Sequence, residues 1–345
     1  ARDEMGHETV QTISITVNLQ IMTHPVVESE VWAHFATLRG YVKNASEEDK
    51  ASYKFQYRKS GTTTWKDVAG EVTVATNGSS NVAQVATNLD ASTKYEYRLL
   101  QNDTNSEPEE FTTEDDIQLP NSGFEDWYTD SDGLPKPAKD ASSSFWDCGN
   151  VNYFGKHIMT TQNDETALGQ GSSVKMETQE TMKIIAAGNI FTGTFKRDGM
   201  GILTLGRNFE CRPNKLKGYY KYTSAKVSVS KGHLNEGEDD LCSLYIALTD
   251  EQITVNTNKG IYFDPNSSAV IAYGSISDEE SKGADSFKEF TVDLEYKDLK
   301  RIPKYIIVVA SSSKYGDYME GGKGSTMWLD DLELVYPKSM EEVRK

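Results

Sequence analysis

Cysteine is scarce in this 345-residue chain: Cys148, Cys211 and Cys242 stand far apart, with no C-x-x-C pair. Neither a disulfide framework nor a cysteine-held zinc is therefore expected. The five histidines are equally scattered, and none falls in an H-E-x-x-H arrangement. No run of about 18 apolar residues occurs, so no membrane-spanning helix is expected. Positive charge is also short, with 36 Lys and Arg against 53 Asp and Glu for a formal charge of −17. Nucleic acid requires a basic footprint that can release counterions, so it is not an expected partner. The same balance disfavours an anionic glycan unless a local basic pocket overrides it, and a solvated acidic surface is its plainest cause. No G-x-S-x-G elbow is present. Gly321-Gly-Lys-Gly324 lacks the strand-to-helix context of a phosphate loop and reads as a turn.

What the chain does have is period-two alternation. From Thr12 to Met22, apolar residues fall at 13, 15, 17, 19 and 21, the pattern of a half-buried strand. Further strand patterns follow at Val31–Val42, Tyr53–Arg58, Val82–Val85 and Leu89–Leu99. After the acidic stretch Glu114-Asp-Asp-Ile-Gln-Leu-Pro120, read as a linker, Gly, Ser and Tyr become common and no long helical period appears. Short strand-like runs recur at 173–178, 200–205, 216–230, 241–249, 261–263, 269–275, 287–295 and 305–311. Many short strands between turn signals indicate sandwiches, so the fold class is all-β with two domains, over residues 8–115 and 119–338. Tyr305-Ile-Ile-Val-Val-Ala310 is apolar without alternation, as a strand covered on both faces would be.

Residues 25–114 resemble a fibronectin type III domain. Tyr53, Phe55 and Tyr57 match its third strand, and Leu89, Ala91, Thr93 and Tyr95 match the corner before its sixth. The resemblance implies a spacer or docking module, with Trp65 in its core.

Trp328, Leu332, Leu334 and Tyr336 share strand parity with Asp330, which places a carboxylate on an apolar face. Such a group needs a hydrogen bond, an ion pair or a cation. Asn121-Ser-Gly-Phe-Glu-Asp-Trp127 and residues 328–334 resemble the first and last strands of jelly-roll carbohydrate-binding modules, where calcium often joins the two. The resemblance implies a structural calcium on Glu125 and Asp330, completed by carbonyls and water. The alternative is an Asp330 bonded to backbone amides without metal.

Across residues 121–336 the chain resembles the putative carbohydrate metabolism domain family of glycan-foraging gut bacteria. The matching stretches include Phe145-Trp-Asp-Cys-Gly-Asn150, Gly171–Thr178, Ala186–Gly193, Arg212-Pro213, Leu216–Tyr222 and Ser311–Tyr336. The resemblance implies a jelly roll on an exported lipoprotein of the outer membrane or cell surface, with glycans or oligosaccharides as partners. The chain begins at Ala1 rather than Met, compatible with a removed leader and a lipid anchor upstream.

Sugar recognition calls for an aromatic face and planar polar groups beside it. Trp146 is a candidate platform with Asp147 and Asn150 as hydroxyl partners, the alternative being a core tryptophan and a turn-capping asparagine. On Leu216–Tyr222, Tyr220 and Tyr222 share one face and Tyr219 the other, so either set could meet a glycan. Arg197 and Arg212 could fork onto an acidic sugar or onto a protein carboxylate. Glycosidase chemistry would need two carboxylates, and Asp147, Glu177, Glu210 and Asp317 are conceivable members that no spacing singles out. Glu236–Asp240 reads as a solvated acidic loop. The expected protein is a monomeric, non-catalytic glycan binder; the alternatives are a glycoside hydrolase and a protein-binding adhesin.

Overall fold

The computed structural model describes residues 20–344 except Thr76, Gly78, Tyr153 and Phe154. Most of the strand expected over 12–22 lies outside the described residues; its end belongs to the strand Ile21–His24. The chain divides into two compact units. Among the described residues no helix is long and apolar enough to cross a membrane.

The smaller unit takes in residues 20–27, 36–87 and 94–112. One sheet orders its strands as Ile21–His24, Phe35–Val42, Asn81–Thr87 and Thr73–Val74. The other runs Lys66–Asp67, Tyr53–Lys59, Lys94–Gln101 and Thr104–Asn105, with Glu109–Thr112 also on Lys94–Gln101. These are the two antiparallel sheets of a fibronectin-like sandwich. Alternation sets the buried faces: Phe55, Tyr97 and Leu99 are buried, and the Tyr97 hydroxyl donates to the His24 carbonyl. Trp65 is not in this core. It is half-buried, with the guanidinium groups of Arg58 and Arg98 4.3 and 4.4 Å from its ring centroid. Two cations against the ring hold an indole at the surface that composition alone would send inside.

The larger unit comprises residues 28–35, 88–93 and, of the described residues, 113–344. The first two segments belong to it although the linear reading places them before the linker. Arg212 ties one of them in, donating to the Ser29 carbonyl at 2.8 Å and to that of Val31, with its guanidinium carbon 3.8 Å from the Trp32 ring centroid. The expected linker is part of this unit as well. Gln118 both donates to and accepts from the backbone of Leu334, at 2.8 and 2.7 Å, and the Tyr336 hydroxyl reaches the Ile117 carbonyl at 2.6 Å.

Two antiparallel sheets form the jelly roll. The five-stranded sheet orders Thr160–Asn163, Ser173–Glu177, Thr326–Val335, Lys215–Thr223 and Ala284–Asp293. The nine-stranded sheet runs Ile253–Asn256, Ile202–Leu205, Asn189–Lys196, Tyr305–Ser311, Ser243–Thr249, Val270–Ser275 and Glu295–Tyr296, with Trp146–Asp147 and Arg207–Asn208 paired alongside. Val174, Met176, Leu216, Met327 and Leu329 from the first sheet meet Ile190, Leu244, Ile246, Ile306 and Val308 from the second in one core. The unalternating run of Tyr305–Ser311 has its physical cause here. Ile306, Val308 and Ala310 enter that core, while Ile307 and Val309 join a second apolar cluster on the sheet's other face.

The face assignment of Asp330 requires correction. Lys217 pairs with Glu333 but Tyr219 with Asp330, so one extra residue lies on the Thr326–Val335 strand between them. Asp331 sits there in the left-handed region at φ 47°. A bulge reverses side-chain parity. Met327 and Leu329 therefore fill the core with Leu332 and Leu334, and Trp328 and Asp330 turn to the other face. Trp328 is half-buried there, with the ammonium groups of Lys175 and Lys221 5.8 and 4.5 Å from its ring centroid.

Candidate functional site

The second apolar cluster lines an open cavity of about 480 Å³ on the outer face of the nine-stranded sheet. Its wall includes Phe191, Phe195, Leu203, Tyr245, Val255 and Val309. At its rim stands the hairpin of Gln179–Thr181 and Ile184–Ala186, joined through Met182 and Lys183 at φ 51° and 62°. The segment 311–320 closes another side. Gly316 lets it lie against the hairpin strand's end, since a Cβ there would come 2.4 Å from the Ala187 Cβ.

Ser313, Lys314, Gly316, Asp317 and Met319 of that segment line the cavity, while Tyr315 and Tyr318 contribute to an aromatic ledge beside it. The His233 ring stacks on Tyr315 with centroids 4.3 Å apart and lies 4.4 Å from Tyr318, which stacks on Tyr262 at 4.0 Å. Glu320, fully buried, positions the histidine. Its carboxylate accepts from the amides of Lys231 at 2.9 Å, His233 at 3.2 Å and Leu234, and from His233 Nδ1 at 2.9 Å. Burial pushes this carboxyl up, but the bonds from the His233 ring and the three amides outweigh it and hold it below the ordinary range. A carboxylate can only accept, so the contact places a proton on Nδ1 and fixes the orientation of the ring.

Most polar groups on the cavity wall already have protein partners. Asn189 Oδ1 accepts from the Gly149 amide at 2.8 Å, Gln179 donates to the Ile158 carbonyl at 2.8 Å, and Ser313 donates to Asp240 at 2.6 Å. Asp317 is different: burial raises its carboxyl above the ordinary range, and among the described residues burial is the one cause acting on it.

Of the residues singled out in the sequence, Arg197 and Asp317 line this cavity. Arg197 donates to the Asn152 carbonyl at 3.0 Å. The others are placed elsewhere. Trp146 is 1% exposed, packs edge-on against Phe124 and Phe145, and donates to the Pro120 carbonyl at 2.7 Å, so it offers no face to a sugar. Asn150 is buried and spends its amide on the Pro135 and Thr160 carbonyls and the Met159 and Thr160 amides. Asp147 pairs with Lys136 at 2.7 Å and accepts from the Cys148 and Phe195 amides. Tyr220 and Tyr222 are core residues, the former donating to the Glu280 carbonyl at 3.0 Å. Arg212 is buried against Glu114 at 2.8 Å, a protein carboxylate in place of an acidic sugar. Glu177 pairs with Lys175 at 2.9 Å, and Glu210 is exposed. Asp240, expected in a solvated loop, is buried and accepts from Ser313, Gly322 and Leu241.

At the proposed calcium pair, Asp330 accepts from the amides of Ala167 and Asp331, both at 2.9 Å, and Glu125 from the amide and hydroxyl of Ser172 at 3.1 and 2.9 Å. Gly171, at φ 76°, makes room: a Cβ there would fall 2.1 Å from Glu125 Oε1. Burial, with the charges of Asp331 and Glu125, pushes the Asp330 carboxyl up to about 6. Each carboxylate already accepts two hydrogen bonds from the protein, and a calcium ion between them would need several more oxygens. Among the described residues no three His, Cys, Asp or Glu gather for a metal, so carbonyls and water would have to complete the shell.

Sequence reasoning missed His233, Glu320 and the tyrosines of the ledge. The run from Ser311 to Tyr336 had drawn attention, but nothing in it pointed to a histidine some eighty residues earlier.

The family described as putative carbohydrate metabolism domain matches residues 107–335. A solved structure described as a putative glycoside hydrolase from Bacteroides thetaiotaomicron is 19% identical, with a TM-score of 0.50 over 86% of this chain and 100% of that one. Another so described, from Bacteroides vulgatus, is 22% identical, with a TM-score of 0.46 over 66% of this chain and 97% of that one. No curated protein matches. The likeness to the Bacteroides thetaiotaomicron structure is one of fold, whereas the family match spans most of the chain and both sheets of the jelly roll: the chain belongs to the putative carbohydrate metabolism domain family.

Proposed function

We propose that the protein is a non-catalytic carbohydrate-binding protein, in which a sugar ring lies on the ledge of Tyr315, His233, Tyr318 and Tyr262 at the edge of the cavity. The observation carrying this reading is the Glu320–His233 pair among tyrosines. A sugar needs an apolar ring face to stack on and a fixed planar hydrogen-bonding group beside it, and the ledge supplies both. On the same reading the protein is exported, acts at a cell surface as a monomer, and can hold a structural calcium through Glu125 and Asp330.

The test is binding of the purified chain to a broad glycan array, beside His233→Ala and Tyr318→Ala, with bound sugar recovered and checked for cleavage. Intact sugar retained by the parent and lost by both variants is the expected result. Silence across the array, or binding unaffected by either change, would overturn it.

A hydrolase is the second reading, and Asp317 is the observation in its favour. A carboxyl raised by burial is suited to general-acid work. Retention or inversion needs a partner carboxylate about 5–5.5 or 6.5–9.5 Å away. Among the described lining residues Asp317 is the only Asp or Glu. Cleaved product that disappears in Asp317→Asn would decide for the enzyme.

A further inference from the structure

The cavity's chemistry differs from that of the ledge. Its wall is built largely from Phe191, Phe195, Leu203, Val255 and Val309; of its polar neighbours Asn189, Gln179, Ser313, Arg197 and Lys314 are committed to bonds within the protein, which leaves Asp317 as the charged exception. An array of sugar hydroxyls entering it would exchange water for carbon and lose hydrogen bonds. The rim points the same way. Met182, Ile184 and Met200 are 87%, 41% and 45% exposed and stand together at the cavity. Single exposed apolar residues are ordinary, but three around one concavity form a surface that a ligand would cover. Methionine adapts readily to varied apolar shapes. A space of about 480 Å³ is of small-molecule size and too small for a protein segment with its own fold.

We propose that this cavity holds the apolar substituent, an acyl chain or an aryl group, of an amphipathic sugar derivative whose ring occupies the adjoining ledge. The proposal rests on the carbohydrate reading and narrows its ligand class. The segment 311–320 makes it geometrically consistent, since it supplies Tyr315 and Tyr318 to the ledge and Gly316 and Met319 to the cavity.

The experiment is calorimetric titration of the full chain with methyl, butyl, hexyl and octyl β-D-glucopyranoside below their micellar concentrations, with octan-1-ol as the chain lacking a sugar. Affinity should rise about three- to fourfold per added methylene until the cavity is filled. The rise should flatten in a Met182→Gln, Ile184→Gln, Met200→Gln variant, whose changes lie at exposed positions and whose fold is checked by its melting temperature. Affinity independent of chain length, or a chain-length dependence unchanged in the variant, would overturn the proposal and leave the carbohydrate reading standing. Octan-1-ol binding as tightly as octyl glucoside would instead remove the sugar, and with it both the carbohydrate reading and the proposal.

Discussion

His233 Nδ1 lies 2.9 Å from Glu320 Oε2, and the same carboxylate gathers three backbone amides from the turn that carries the histidine. The contact orients the ring and anchors the turn together. Glu320→Gln replaces one acceptor oxygen by a donor facing donors, so it should cost about 3 kcal/mol of stability. Glu320 has a depressed carboxyl, so its contribution is present above the ordinary 4.5 and is lost as pH falls through the lower folded value. Urea unfolding across a pH series should show the variant's deficit in full at pH 7 and shrinking as the pH falls below 4.5.

The opposite sign applies to Asp330. Its folded carboxyl stands at about 6 against an ordinary 3.8. The stability it contributes is therefore complete below 3.8 and lost as pH rises through about 6, a change of about 3 kcal/mol. Asp330→Asn cannot ionise and keeps one acceptor oxygen, so its stability should vary less between pH 4 and 7. Identical pH profiles for the two proteins would contradict the assignment.

Calcium would reverse that dependence. If Glu125 and Asp330 share an ion, a chelator should lower the melting temperature at pH 7.5 and excess calcium should restore it. Glu125→Gln should abolish the response. A melting temperature indifferent to chelator would leave the amide bonds as the whole explanation of Asp330.

The buried pair of Arg212 and Glu114 makes a purely structural prediction. Burial pushes the Glu114 carboxyl up to about 7 even with Arg212 beside it, so in Arg212→Ala that group takes up a proton; the change also removes the bonds to Ser29 and Val31 and the stack on Trp32, and should cost about 3 kcal/mol. Arg212→Lys should recover little of it, because an ammonium cannot reproduce the fork that reaches Glu114, Ser29 and Val31 together. Chemical denaturation of the three proteins checks both statements.

Trp146→Ala separates two accounts of one residue. The buried indole, packed on Phe124 and Phe145, predicts a loss of about 3–5 kcal/mol. Any loss of ligand binding should follow the loss of folded protein. A well-folded variant with selectively abolished binding would restore Trp146 to the site.

Period-two patterning made the sandwich legible wherever a strand kept its phase. Ser173–Glu177, Val270–Ser275 and Tyr305–Ser311 fall within a residue of the segments expected from sequence, because each strand is bounded by turn residues and faces a continuous core. The run expected over 216–230 stops as a strand at Thr223, where the chain enters a loop held by bridges at Lys226 and Val229. The site was harder to read for a different reason. Aromatic and amide side chains that suit sugars also suit cores, and only burial separates Trp146, Asn150 and Tyr220 from Tyr315 and Tyr318. The ledge depends on a contact between His233 and Glu320 that no local pattern encodes.

The left-handed residue Asp331 works as a phase shifter within the last strand. Upstream of it, odd-numbered side chains point inward, as Met327 and Leu329 do; downstream, even-numbered ones do, as Leu332 and Leu334 do. The strand can therefore tolerate a change of identity at position 331, glycine best of all, far better than a change of length. Deleting that one residue would force half the strand to present its wrong side, either expelling Leu332 and Leu334 or drawing Trp328 and the carboxylate of Asp330 into the core.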